Sequence, residues 1–348
     1  MISRYTDLLS LAAMLFVTLC LTVPQRAEAG GHFNSLTVHW ENDAFVGTDA
    51  DYTNGIKLTL STPYKSGEGR PHLPSWSYPI INRLPFVNDP AVPRAVSLSV
   101  GQDIYTPEDT DRKDIVEDER PYAGISYIST GYHSKSEGRK NSWELIIGIV
   151  GRHSYAKDVQ NWVHRVIASQ LAKGWDNQLK DEPLFEAVYE SQWRLFRSGG
   201  GKGFGYDVIP HLGGRAGNMN IYANTGAEVR FGWGLPENFG TCPIRAGCET
   251  NSEPDISESS EPGREQSGVH FFLAADGRFV IWDITLDGNT VRDSHSVDKE
   301  TLVADLMAGI GMEYGRFNTS YSYIYRTKQF KTQERNQIFG AVSVSYSY

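Results

Sequence analysis

The sequence is short of the features that would place it inside a cell or across a membrane as a helix. Among 348 residues there are three cysteines, and Cys20 falls in the N-terminal apolar run, which leaves Cys242 and Cys248. A lone pair without clustered histidines is a poor metal set and, in an oxidising compartment, suits a local disulfide. After residue 29 no stretch approaches the roughly 20 apolar residues a membrane helix needs. Positive charge is not in excess either: the formal net charge is −9, which gives no support to nucleic-acid binding. Neither a Gly-x-Ser-x-Gly elbow nor a His-Glu-x-x-His zinc motif occurs.

What is present begins with an export signal. Arg4 precedes the apolar run Leu8 to Val23, Pro24 ends it, and Ala27-Glu28-Ala29 offers small residues at a cleavage site. The expected division is a signal peptide over 1–29 and one domain over 30–348. Cleavage removes Arg4, Arg26, Asp7 and Glu28, so the net charge does not change. The chain is also rich in Gly (34), Tyr (18) and Trp (8).

Period-two alternation recurs along the chain. Leu36, Val38 and Trp40 share one face against Thr37 and His39, and Val96, Leu98 and Val100 oppose Ser97, Ser99 and Gly101. At the end, Val342, Val344, Tyr346 and Tyr348 alternate with Ala341, Ser343, Ser345 and Ser347. A soluble β-sandwich alternates too. An aromatic C-terminal residue and aromatics near strand ends (Trp40, Tyr105, Tyr127, Tyr132, Trp143, Trp193, Trp233, Tyr325) fit the interfacial girdles of a transmembrane barrel better.

The expected fold is therefore an all-β, antiparallel transmembrane β-barrel of about twelve strands, near 34–42, 53–62, 95–105, 123–133, 142–151, 184–197, 204–214, 224–233, 268–283, 300–314, 316–326 and 336–348. With both ends periplasmic, the long connections 63–94 and 236–267 fall on the periplasmic side, where short turns are usual. One helix interrupts the pattern. From Ala156 to Ala172, Val159, Val163, Val166, Ile167 and Leu171 follow three- and four-residue steps. Gly174 stands where a C-terminal cap belongs, and the strand count puts this helix in an extracellular loop.

Three clusters lie at outer strand ends. Glu41-Asn42-Asp43 with Asp51-Tyr52-Thr53-Asn54-Gly55 gathers oxygen donors suited to Ca²⁺, although an Asp/Asn/Gly-rich hairpin is also ordinary turn chemistry. Gln102-Asp103-Ile104-Tyr105-Thr106-Pro107 is followed by Arg112, Lys113 and Arg120, a set that charged surface loops explain equally well. Gln160 and His164 stand at i and i+4 on the helix, and histidine suits proton transfer near neutral pH.

These strings, in this order, resemble the outer-membrane lipid A 3-O-deacylases. Gly148-Ile149-Val150-Gly151, Gln160-Asn161, His164-Arg165 and Gly174-Trp175-Asp176-Asn177-Gln178 extend the likeness over roughly residues 34–190. The resemblance implies a twelve-stranded barrel whose active site lies between the outer wall and the loop helix, on the extracellular side of the outer membrane. It implies Ca²⁺-dependent hydrolysis of the ester holding the 3′-acyloxyacyl group of lipopolysaccharide. His164 would be the base, Asn42, Asp43 and Thr53 the rest of the essential set and the metal donors, and Gln160 a supporting residue. Arg112 or Lys113 would contact substrate. Implied partners are lipid A, the lipids of the outer membrane and, during biogenesis, the barrel-assembly machinery. Two other readings are an outer-membrane phospholipase with a serine nucleophile, for which Ser154 and Ser169 are candidates, and a non-catalytic porin or adhesin.

Overall fold

The computed structural model describes residues 33–46, 51–65, 77–166, 169–199, 203–241 and 267–348. The expected signal peptide over 1–29 and the Cys242/Cys248 pair with its expected disulfide lie outside the described residues.

The chain runs through β1 (Ser35–Asn42), β2 (Asp51–Ser61), β3 (Arg94–Thr106), β4 (Ala123–Lys135), β5 (Arg139–Val150) and β6 (Glu182–Trp193). A short β7 (Leu195–Ser198) carries on past Arg194, so β6 and β7 make one stave. Then follow β8 (Phe204–Gly217), β9 (Asn220–Trp233), β10 (Ser267–Asp283), β11 (Leu302–Tyr314), β12 (Phe317–Arg326) and β13 (Gln337–Ser347). All belong to one antiparallel sheet. It closes where β1 pairs with β13 and β6 with β8, giving twelve staves. Closure leaves no open edge, so every strand satisfies its backbone polar groups within the sheet, as a bilayer requires.

The period-two pattern sorts side chains as the sequence indicates. Leu98, Val100, Ile128, Leu145, Ile147 and Phe185 point outward and are exposed, while Thr37, Thr59, Ser97 and Ser345 are buried inside. The interior also holds large charged groups that close on one another. Lys57 meets Glu144 at 3.1 Å, Arg215 meets Glu186 at 3.2 Å, Arg230 meets Asp207 at 2.6 Å, and Asp305 takes both Arg278 and Arg326 at 2.8 Å. A cavity of about 90 Å³ remains among Glu41, Lys57, Asp103, Arg215, Arg278 and Arg326. Above it the mouth is filled: Leu179, Ile284 and Leu286 are essentially inaccessible. The fully buried Arg120 lies 4.6 Å over the Tyr105 ring and donates to Thr285 and Gln329.

Three expectations change here. Tyr105 and Tyr127 turn inward and do not serve the girdle: Tyr105 lines the cavity and Tyr127 packs in the interior apolar cluster. Arg120, grouped with the basic loop residues, is instead part of the plug. The helix also ends early. It is α1, Ala156–Val166, and Gly174 does not cap it. Gly174 precedes a 3₁₀ turn over Trp175–Asn177, and a Cβ there would stand 2.5 Å from the Tyr122 ring and 3.0 Å from the Arg112 carbonyl oxygen. The glycine is required by close packing of two loops, which a helical pattern cannot reveal.

Candidate active site

The outer ends of β1 to β4 carry polar side chains on the outside of the wall. Along β1 the buried inward set is Thr37, His39 and Glu41, so Trp40 and Asn42 point the other way. Asn42 and Asn54 are cross-strand partners. Asn54 Oδ1 accepts from Trp40 Nε1 at 2.7 Å and from Asn42 Nδ2 at 3.1 Å. The second bond fixes the Asn42 amide so that its carbonyl oxygen turns away from Asn54.

After Asn42 the chain enters a 3₁₀ turn, Asp43–Val46, whose Phe45 packs edge-on to Trp40 at 4.9 Å and over Gly340 of β13. Asp43 is 2% exposed at the head of that turn. On the facing strand Tyr52 pairs with Tyr105 and Asn54 with Ile104, so Thr53 is the extra residue of a β-bulge. Asn42 ends β1, Asp43 opens the turn after it, and Thr53 lies in the backbone of β2, the next strand of the same hairpin.

The helix forms the other flank. Ala156 seats on Gly124 of β4, and Ser154 is drawn down by its carbonyl, which accepts from Gln102 and Ser126 at 2.8 Å each. One turn on, buried Gln160 accepts at 2.7 Å from the indole of Trp175. Trp175 packs with Ile104, Tyr122, Ala156 and Ala172. α1 therefore advances over the outer wall from β4 toward β3. A side chain on Gly124 would collide with Ala156 and Ser154, and overpacking of that kind costs about 1–3 kcal/mol. Gly124→Val should lift α1 while the barrel still folds, read as new proteolytic cleavage near 152–166 with heat-modifiable migration retained. Unchanged protection of α1 would refute the seat.

His164 lies one turn beyond Gln160 and is half-buried. Its Nδ1 is hydrogen-bonded to the Gln170 carbonyl oxygen. A carbonyl only accepts, so Nδ1 carries the proton and Nε2 is the basic nitrogen of the neutral ring. The loop that supplies this carbonyl is clasped to the β3–β4 loop. Asp111 accepts from the Gln170 side chain and from Lys173 Nζ, the latter at 2.8 Å, and the Lys173 amide donates to Thr110 at 2.9 Å. The Lys173 hydrogen bond and charge hold the Asp111 carboxyl below the usual carboxylate range. The clasp is thus intact at neutral pH and weakens only as pH falls through that lowered value.

Neither serine makes a nucleophile pair with His164. Ser154 donates to the Gly151 carbonyl at 2.6 Å and stands ten residues before the histidine, roughly 15 Å along a helix. Ser169 meets it through its backbone amide, at 2.7 Å from the His164 carbonyl. The plugged mouth likewise does not suit a porin. Sequence reasoning gave no separate role to Asn54, Trp175 or Asp111, which bond to Asn42, Gln160 and the Gln170 side chain. Asn54 and Trp175 stand inside the ordered motifs, whereas Asp111 stands in none. Among the described residues no three His, Cys, Asp or Glu side chains cluster as a metal set.

A closed twelve-stave barrel with lipid-facing staves and a filled mouth is the architecture of an outer-membrane protein. The chain belongs to the LpxR family: the family model described as outer membrane protein LpxR matches residues 11–348. The family resembled by the ordered motifs is thus the one the chain belongs to. Among solved structures the chain is similar to LpxR from Salmonella typhimurium, with TM-score 0.69, 19% identity, and coverage of 90% of this chain and 100% of that one. The beta domain of the Bordetella autotransporter BrkA is also similar, with TM-score 0.44, 10% identity, and coverage of 90% and 99%. No curated protein sequence matches the chain.

Proposed function

We propose that this protein is a lipid A 3′-O-deacylase that hydrolyses the ester holding the 3′-acyloxyacyl group of lipopolysaccharide in the outer leaflet. The observation that carries this reading is the His164 ring. It stands on a helix packed against the outside of the wall, with Nδ1 committed to a carbonyl and Nε2 left basic. A base in that position serves a substrate that arrives laterally, from lipid.

In the reaction His164 Nε2 takes a proton from water as the water oxygen attacks the ester carbonyl. The same nitrogen, now protonated, returns the proton to the departing sugar oxygen as the tetrahedral intermediate collapses, giving a free hydroxyl and a carboxylic acid. No covalent nucleophile is required. Gln160, through Trp175, holds the helix turn below His164 and so steadies the base. Trp162 and Val166, each 51% exposed on α1, would lie along the acyl chains, while Arg112 and Lys113 on the exposed loop would meet the headgroup phosphates.

The donor set at the hairpin mouth fits Ca²⁺: Asn42, Asp43 and Thr53 are hard oxygen donors, and the Asn42 amide is held with its oxygen turned away from Asn54. When bound, the ion supplies Lewis-acid stabilisation of the oxyanion. One carboxylate among neutral oxygens makes a weak, exchangeable site, so chelators should abolish activity without unfolding the barrel.

The test is mass spectrometry of lipid A from cells expressing the protein. Loss of one acyloxyacyl unit supports the proposal; unchanged lipid A with folded protein rejects it, and deacylated phospholipid would point to a phospholipase. A further expectation concerns the clasp. Asp111→Asn should cost about tenfold in rate, since it loosens the carbonyl that orients His164, within the range for partners that orient a functional histidine. Asp111→Glu should recover part of the loss. An unchanged rate and pH profile in Asp111→Asn would make the clasp structural only.

A further inference from the structure

The long connection between β2 and β3 lies on the periplasmic side, yet residues 77–93 do not hang below the barrel. They fold back up its outside. Val87 is fully buried and packs on Val96 and Tyr132, with Ile81, Leu84 and Trp143 beside it. Trp143 donates its indole N–H to the Pro85 carbonyl at 3.0 Å, and Ser134 donates to the Phe86 carbonyl at 3.3 Å. Asn88 ties the segment together through the carbonyls of Ile81 and Leu84 at 2.8 and 2.7 Å.

Val96, Tyr132 and Trp143 are register partners on the outward face of β3, β4 and β5. On a bare wall they would meet lipid. At the periplasmic ends of β8, β9 and β12 the corresponding level carries exposed Phe204, Trp233 and Phe317, the girdle expected at a bilayer interface. Over β3 to β5 the segment has taken the place of lipid, so its own outer surface inherits that contact. That surface is apolar: Ile80 is 49% exposed and Phe86 63% exposed. Phe86 sits at φ +67°, a left-handed conformation that bulky residues rarely hold, with its ring against Tyr189 and under the Arg139 guanidinium at 5.3 Å. Arg139 also lies over Trp193, and Arg83 is exposed on the same segment. Cations beside aromatics at this level match the phosphate and glycerol layer of a leaflet.

We propose that residues 77–93 form a membrane-interface element that seats Ile80 and Phe86 among the phospholipids of the inner leaflet, with Arg83 and Arg139 at the phosphates. The length of this connection is then explained by a lipid contact, and the inference stands whether or not the protein is a deacylase. The test places a benzophenone-bearing phenylalanine singly at Phe86, Ile80, Leu145 and Asp89 in the full chain, with folding checked by heat-modifiable migration. The protein is then irradiated in vesicles of phosphatidylethanolamine and phosphatidylglycerol. Intact mass should gain one phospholipid at Phe86 and Ile80, at yields comparable with the wall position Leu145 and several-fold above the exposed polar position Asp89. Labelling at Leu145 without labelling at Phe86 and Ile80, equal labelling at Asp89, or a cross-link to a second copy would overturn it.

Discussion

His164→Ala is expected to lower lipid A deacylation by about 10²–10⁴-fold, the range that a positioned general base contributes, while the barrel continues to migrate as a folded species. The separation of activity from folding follows from where the ring sits. His164 is on a helix docked outside the wall, and among the described residues its side chain bonds to the Gln170 carbonyl of the neighbouring loop rather than to a barrel strand. The bond also fixes which nitrogen works. Nδ1 is the donor, so Nε2 takes the proton, and His164→Asn would keep a donor toward Gln170 but supply no base. Both variants should therefore fail alike. Activity retained in His164→Asn would show that orientation, and not proton transfer, is what the histidine supplies.

Asp43→Asn is expected to cost about 10²–10³-fold, comparable with the loss of a group that stabilises an oxyanion, and to shift the Ca²⁺ requirement to higher concentration. The carboxylate is 2% exposed at the head of the 3₁₀ turn, and the other two donors at this mouth are a neutral amide and a hydroxyl. Removing its charge removes the only formal negative charge in the proposed donor set, and Ca²⁺ affinity follows ligand charge. A Ca²⁺ titration of both forms separates the outcomes. If Asp43→Asn loses rate but keeps the wild-type titration midpoint, Asp43 acts on the substrate and not on the ion.

The staves were legible because a barrel wall imposes a strict alternation, and β13 shows why. Val342, Val344 and Tyr346 have no other way to reach lipid while Ser343 and Ser345 stay inside. All twelve expected strands are present, with β7 as a short extension of the sixth. The β1–β2 hairpin was legible for a local reason: Asn42 and Asn54 are close in sequence and fall opposite one another in its register. The end of α1 was not. Leu171 continues the helical spacing past Val166, but Gly174 is claimed by the Tyr122 ring, a contact 52 residues away. Arg120 misled in the same way, since a charged loop residue reads as surface until Tyr105, Thr285 and Gln329 surround it.

The sequence by itself determined the alternating staves, the helix after β5 and the family, because each is written in local periodicity or in ordered motifs. Only the tertiary structure decided that the mouth is plugged, that Thr53 occupies a bulge, that Asp111 clasps the loop orienting His164, and that residues 77–93 lie on the wall. Those features depend on closure of the sheet. Closure brings residues far apart in sequence to one rim, and the period-two pattern alone does not say what packs against either face.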